Sequence, residues 1–505
     1  MKKLVCTIAL ILALMLLSAA FAGETSAEAE MSVKLEDYLS RIDDEIFDDM
    51  REEWDDLDED LLEYSQDHSE ALRICYEKAE QGDANAQRIV GEMYYASYVA
   101  ERDFEKAYEW IMKAVEQGDA EAQALLSVMY LGGHGVERDL DMAYEWARRS
   151  ADQGLAFAQC LVGECYTVGI GTEPDEAMAF DWFMKAAEQE DEDGMTNVGA
   201  CYLVGAGVKK DYEEARRWFL PAAEQGKRHA MTFLGELAVL EEDYPSALEW
   251  FGKAAEKEEK YAEYWLGELY YRGWGVKQSY EEAFNWYVKA AGRGNDAALN
   301  VLSEYYYFGI YVEQDINKAF EYDIAAANKG NTHAMYEVAQ FYIAGIGTRA
   351  DVKEGIRWLK KAIARDYDDA NYLLGMIYLE GRYVKQDLAA AFQVLVQGAE
   401  KGNTKCQYVV SAMYYRGLGV EQDYEAYYEW ALIGAQQDDA DCQFIVGMAF
   451  YYGDGVEQSY ENAFGWLLKS AENGNDDAKD TVAYMYENGI GTEKSILKAA
   501  LWKLR

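Results

Sequence analysis

From Gly82 onward, small, apolar and polar residues return on fixed registers about 36 residues apart. Gly118, Gly154, Gly226, Gly294, Gly330, Gly402 and Gly474 share one register. Trp110, Trp146, Trp182, Trp218, Trp250, Trp286, Trp358, Trp430, Trp466 and Trp502 share a second. A third carries a Gly-x-Gly turn, from Gly133/Gly135 to Gly489/Gly491. A period of roughly 20–50 residues marks a stacked array in which each unit buries its apolar face on the next. In the unit Asn403–Asp438, the spacing predicts a helix over Thr404–Arg416 with Val409, Ala412 and Met413 on its inner faces. Gly417-Leu418-Gly419 breaks it. Asp423 then N-caps a second helix, Tyr424–Gln437, from which Trp430 and Ala435 face inward. Small residues recur where the two helices approach: Gly91, Ser127, Gly163, Gly199, Gly235, Gly267, Ser303, Gly375, Ser411 and Gly447. Bulk there would wedge the helices apart. The expected fold class is therefore all-α, an αα-hairpin solenoid over residues 71–505. One unit, between Gly226 and Glu258, has Asp243-Tyr244-Pro245 in place of the Gly-x-Gly turn, which predicts a shorter loop between its helices.

Ahead of the array the pattern changes. Lys2 and Lys3 precede an apolar run, Leu4–Leu17, broken only by Thr7, and Ala20-Phe21-Ala22 supplies a small-x-small cleavage pattern. Residues 1–22 read as a signal peptide cleaved near Ala22. The expected location is secreted or extracytoplasmic, in a periplasm or at a cell surface, with no transmembrane anchor after cleavage. Residues 23–33 read as a flexible acidic segment. Over 34–70, Leu35, Leu39, Ile42, Ile46, Met50, Trp54, Leu57 and Leu61 recur at steps of three or four opposite a dense acidic face. That is the pattern of an amphipathic capping helix. Asp56-x-Asp58-x-Asp60 mimics the start of a calcium loop, but Leu61 stands where that loop needs glycine for its turn.

The formal net charge of −46 argues against DNA, RNA and anionic lipid as partners, because those require a basic footprint. Of the cysteines beyond the signal segment, Cys406 and Cys442 occupy a small-alanine core slot, and Cys165 and Cys201 the slot of Met93, Met129 and Met413. Equivalent positions on stacked helices lie about 10 Å apart, too far for a disulfide, so Cys75, Cys160, Cys165, Cys201, Cys406 and Cys442 are expected to be buried free thiols. His68, His134, His229 and His333 are scattered, and none pairs at metal-ligand spacing. Ser495-x-x-Lys498 matches a penicillin-binding serine motif by letter, without the companion Ser-Asp-Asn or Lys-Thr-Gly segments. No catalytic residue, metal ligand or cofactor is assigned.

The segments Leu266-Gly267-Glu268-Leu269-Tyr270, Gly273-Trp274-Gly275-Val276-Lys277-Gln278 and Lys289-Ala290-Ala291 resemble the Sel-one-like repeat, a relative of the tetratricopeptide repeat. The resemblance covers about twelve units, from Ala71 to Arg505. It implies a right-handed αα superhelix that serves as a scaffold for other macromolecules. Some exported bacterial relatives carry a cysteine pair in each repeat and are linked to penicillin binding or β-lactam hydrolysis; this chain lacks that cysteine pattern. In tetratricopeptide-like units the first helix lines the concave surface. On this register the concave positions are those of Tyr264, Glu268 and Tyr271. One column then holds Tyr264, Tyr336, Tyr372, Tyr408 and Phe444, and its neighbour Tyr271, Tyr307, Tyr415 and Tyr451. The first repeats carry Arg88, Ala124, Cys160, Thr196 and Thr232 in the first column. These aromatic columns either pack between repeats or form a groove for an extended peptide or glycan, since tyrosine offers contact area at small entropic cost. The expected function is an exported, non-enzymatic scaffold or adaptor that binds a protein or peptide partner in the concave groove. The alternative is an envelope hydrolase or a protein that binds a cell-wall component, peptidoglycan or a β-lactam.

Overall fold

The computed structural model describes residues 68–96 and 102–503. The expected signal peptide, the segment 23–33 and the capping helix as far as residue 67 lie outside the described residues. From His68–Glu80 to Ile496–Trp502, 25 helices follow one another, and no strand occurs among the described residues. They pair into hairpins: the two helices of a hairpin pack on each other, and the second packs on the first helix of the next. The chain is thus an all-α solenoid. It divides into two units. The first runs to Tyr305 and takes in Gly309–Glu313; the second comprises Tyr306–Phe308 and the residues from Gln314.

Local chemistry sets each boundary. The helix Thr404–Arg416 starts at Asn403, whose side chain accepts from the Cys406 N–H at 2.9 Å. It stops at Gly417, which takes the left-handed backbone (φ 67°) that ends helices cheaply only in glycine. Asp423 caps the second helix, Tyr424–Gln436, by accepting from the N–H groups of Glu425 and Ala426. The second glycine of the turn has a different task. A Cβ on Gly275 would stand 2.8 Å from the Cβ of Tyr244, and one on Gly419 would strike the Leu388 carbonyl. Each turn tip therefore rests on the N-terminus of the preceding hairpin's second helix. In the short unit the loop contracts to residues 241–243, where the next hairpin has 273–279, as the missing glycines predict.

The small-residue register is the contact line within each hairpin. Cβ atoms on Gly91, Gly199, Gly235 and Gly447 would stand 2.6, 2.6, 2.5 and 2.6 Å from Ile111, Phe219, Phe251 and Leu467. Where serine replaces glycine, the facing residue shrinks: Ser411 donates to the Tyr427 carbonyl at 2.7 Å and faces the register of Ala431, which is fully buried.

The tryptophan register needs correction. It was expected to face the core, but only Trp182 and Trp358 are buried; Trp430 and the others are half-buried. The core slot is the next residue along, filled by Ile111, Phe219, Phe251, Tyr287 or Ala431. One residue is a rotation of about 100° on a helix. That turns Trp430 off the buried stripe and onto the edge of the cluster that its own first helix (Cys406, Val410, Met413) shares with the preceding hairpin (Ala391, Leu395). A cation covers many of these rings: Lys113, Lys289 and Lys361 place their ammonium groups 3.5, 3.7 and 3.7 Å from the centroids of Trp110, Trp286 and Trp358.

Cys75, Cys160, Cys165, Cys201, Cys406 and Cys442 are buried free thiols. Burial pushes Cys201 up to about 12, which keeps it un-ionised and inert. A chain of amides ties hairpins together. Gln87 donates to the Ala79 carbonyl at 3.0 Å and accepts from Gln117 at 2.8 Å. Gln407 does the same with Ala399 and Gln437, and Gln443 with Ala435 and Asn473.

Candidate functional site

The predicted aromatic columns fall on the first helices of the hairpins. Tyr264 and Tyr271 belong to the first unit; Tyr307, Tyr336, Tyr372, Tyr408, Tyr415, Phe444 and Tyr451 belong to the second. In the second unit Tyr336, Tyr372 and Phe444 are half-buried, and Tyr408 is 39% exposed. The Tyr336 ring lies 5.3 Å from that of Tyr367, and the Lys405 ammonium 5.8 Å from the Tyr372 ring. Each of these tyrosines thus rests on the following repeat. Burial raises the phenol pKa of Tyr336 and Tyr408 above the ordinary value.

In the first unit the same slot holds Arg88, Ala124, Cys160, Thr196 and Thr232, all of them buried. The slot is therefore a seam between successive first helices. Short side chains end inside it and Arg88 is held down by Glu92, Asn85 and Glu121, whereas the tyrosines of the second unit keep part of their rings open. Tyr264 is half-buried against Tyr287 and Trp265, at 5.8 and 6.1 Å. Glu268, expected beside it on the open face, is instead buried and takes hydrogen bonds from Tyr287 Oη and Arg272 Nε, each at 2.7 Å.

The second column is built into the interhelical loop. Gln278, Gln422 and Gln458 each donate from Nε2 to the backbone carbonyl of Tyr271, Tyr415 and Tyr451, at 2.8, 2.7 and 2.8 Å. The same amides reach the hydroxyls of Tyr280, Tyr424 and Tyr460. These last three tyrosines open the second helices and meet the column rings tilted or edge-on, at 5.4, 5.5 and 5.2 Å between centroids. They are 43%, 41% and 44% exposed and widen the aromatic surface beyond what the columns predict. Their signal in the sequence is the pair that opens these second helices, Ser279-Tyr280, Asp423-Tyr424 and Ser459-Tyr460. Tyr452 and Tyr484, at 61% and 51% exposed, extend the aromatic surface of the second unit in the last repeats and had no periodic signal.

The residues singled out for chemistry are engaged in packing. Ser495 caps the last helix by accepting from the Lys498 N–H, and the Lys498 ammonium lies 5.2 Å from the Tyr486 ring. His134 bonds the Tyr95 hydroxyl at 2.9 Å and stacks on Phe104; His333 bonds the Tyr367 hydroxyl at 2.8 Å. His229 is buried near Glu259, and burial with Arg228 and Lys227 alongside holds its pKa well below the ordinary value. In the same unit burial pushes Glu236 up to about 7, against the opposing hydrogen bond from Trp265 Nε1 at 2.9 Å. The open aromatic face offers apolar contact with interspersed hydroxyls, suited to binding a chain laid along it.

A family model described as Sel1 repeat matches twelve consecutive segments from residue 84 to residue 502. Among solved structures, the chain is similar to a protective antigen of uropathogenic Escherichia coli strains that displays an SLR fold. The two share 29% identity over 85% of this chain and 93% of that one, with a TM-score of 0.49. A Sel1 repeat protein from Oxalobacter formigenes shares 28% identity over 47% of this chain and 96% of its own, with a TM-score of 0.43. No curated protein matches the chain.

Proposed function

The chain belongs to the Sel1 repeat family, a class of non-catalytic protein-interaction scaffold, and from that premise we propose that it is an exported adaptor. Its second unit holds an extended peptide segment of a protein partner along the first-helix face. The observation that carries this reading is the placement of Tyr336, Tyr372 and Tyr408 at one slot of three successive repeats, each with part of its ring open to solvent. A peptide laid across the repeats meets a ring at each step. Tyrosine suits the task because it supplies broad contact area and a polar tip with only two side-chain torsions to freeze. Export rests on the basic start, apolar run and Ala20-Phe21-Ala22 pattern of the N-terminus. No helix among the described residues is long and apolar enough to cross a membrane.

The test is the triple substitution Tyr336→Ser, Tyr372→Ser and Tyr408→Ser, read by capture of partners from the source cell's surface and medium and by thermal melting. The expected result is lost capture with helical signal and melting midpoint near wild type. Unchanged capture removes the reading. Lost capture with a collapsed transition assigns the column to packing instead.

A further inference from the structure

In a chain of −46 formal charge, one recess of the second unit is lined by three cations and a single acid, Asp351. It has a volume of about 950 Å³ and lies between the loops of two successive hairpins, over Thr348–Lys353 and Tyr383–Lys385, with Tyr342 at its wall. Arg349, Lys353 and Lys385 line it and are exposed. None of the three has a side-chain ion pair or hydrogen bond among the described residues, although acids are plentiful nearby and Arg357 on the same helix pairs with Glu354 at 2.8 Å.

The repeats act as an internal control on what the fold requires at these positions. Arg349 and Lys385 stand two residues before the cap of the second helix. The neighbouring repeats have Glu313, Glu421, Glu457 and Glu493 there, and single lysines stand at Lys209 and Lys277, but only at Arg349 and Lys385 do two successive described repeats both carry a cation. Lys353 stands two residues after the cap, where Glu425 and Glu461 are found. The backbone accepts either sign at that position, so its packing does not require the pair of cations that these two adjacent repeats bring together. Their charge also runs against the helix dipole, which favours acids in the first turn.

We propose that this recess is a second binding site, separate from the tyrosine face, and that it takes a short acidic peptide segment of a protein partner. The chemistry of the walls favours a peptide over a phosphate group. The helix N-terminus that would bind phosphate is already satisfied, because Asp351 accepts from the N–H groups of Lys353 and Glu354 at 3.1 Å each. The cations come from three separate points of the backbone, so they suit carboxylates spread along a chain. Between them Val352, Val384 and the rings of Tyr342 and Tyr383 offer room for an apolar side chain.

The probe is a synthetic peptide of alternating Asp and Glu around one Phe, its ends blocked, compared with the peptide in which Asn and Gln replace the acids. Titration calorimetry on the full chain is run at about physiological ionic strength, where the screening length is about 8 Å and the array's distant negative charge is muted. The expected result is binding of the acidic peptide at least tenfold tighter than of the amide control, a loss of at least tenfold in R349E/K385E, and full retention in Y336S/Y372S/Y408S. R349E/K385E restores residues used by neighbouring repeats, so its helical signal should be unchanged; if it misfolds, R349Q/K385Q must show the loss instead. Equal affinity for the two peptides, no binding of either, or binding that survives both charge variants overturns the proposal. Inorganic phosphate competing at the affinity of the peptide overturns it as well.

Discussion

Gly267 lies against the ring of Tyr287, so closely that a Cβ on the glycine would stand 2.5 Å from Tyr287 Cε1. Tyr287 is fully buried and its hydroxyl is held by Glu268, so the ring has no room to retreat. Gly267→Ala is expected to cost about 1–3 kcal/mol, as overpacking does. Gly252, inside the helix Tyr244–Glu256, has nothing within 4 Å of the same hypothetical atom. Gly252→Ala should therefore stabilise by about 0.5–1 kcal/mol, the ordinary helical gain. Urea unfolding of both variants checks the pair, which must move in opposite directions.

The tryptophans should divide by burial. Trp182 is 3% exposed, so Trp182→Ala is expected to cost about 3–5 kcal/mol. Trp430 keeps an open face, so Trp430→Ala should cost less, about 1–3 kcal/mol. Equal losses in denaturant midpoints would restore the whole register to the core.

Glu236 gives the first unit a pH dependence. Its folded pKa, near 7, is raised above the ordinary glutamate value mainly by burial. The folded state therefore binds the proton more tightly than the unfolded chain, and stability is lost as pH rises from about 4.5 through 7. Glu236→Gln keeps an acceptor for Trp265 Nε1 and removes the buried charge. Its melting temperature should exceed wild type at pH 8 and approach it at pH 5. A variant that gains equally at both values refutes the assignment.

Much of this was legible in the letters. The hairpins, their caps at residues such as Asn403 and Asp423, the free thiols and the contact line through Gly91 to Gly447 all follow from a single repeated spacing, since every repeat must solve the same packing problem. What spacing does not contain is direction. It put the tryptophans one residue off the buried stripe, because a half-buried and a buried position recur with the same period. It also placed Glu268 on an open face, although its partners, Tyr287 and Arg272, draw it inward. Whether the first-column slot opens to solvent depends on the length and the partners of the side chain: Thr232 is too short to emerge, Arg88 is held in by carboxylates, and Tyr408 emerges. The charged recess was present as a reversal of sign at Arg349 and Lys385, and its meaning needed the loops to be seen side by side.

The amide chain through Gln87, Gln407 and Gln443 determines how the molecule comes apart. Each such glutamine closes the last turn of one hairpin while gripping the end of the next, so neighbours joined this way must fray together. The middle repeats carry Met195, Met231, Leu299 and Met335 at that position and have no amide to share. Their junctions lack this shared link, so in hydrogen exchange the amide-linked hairpins are expected to open as blocks more than these do.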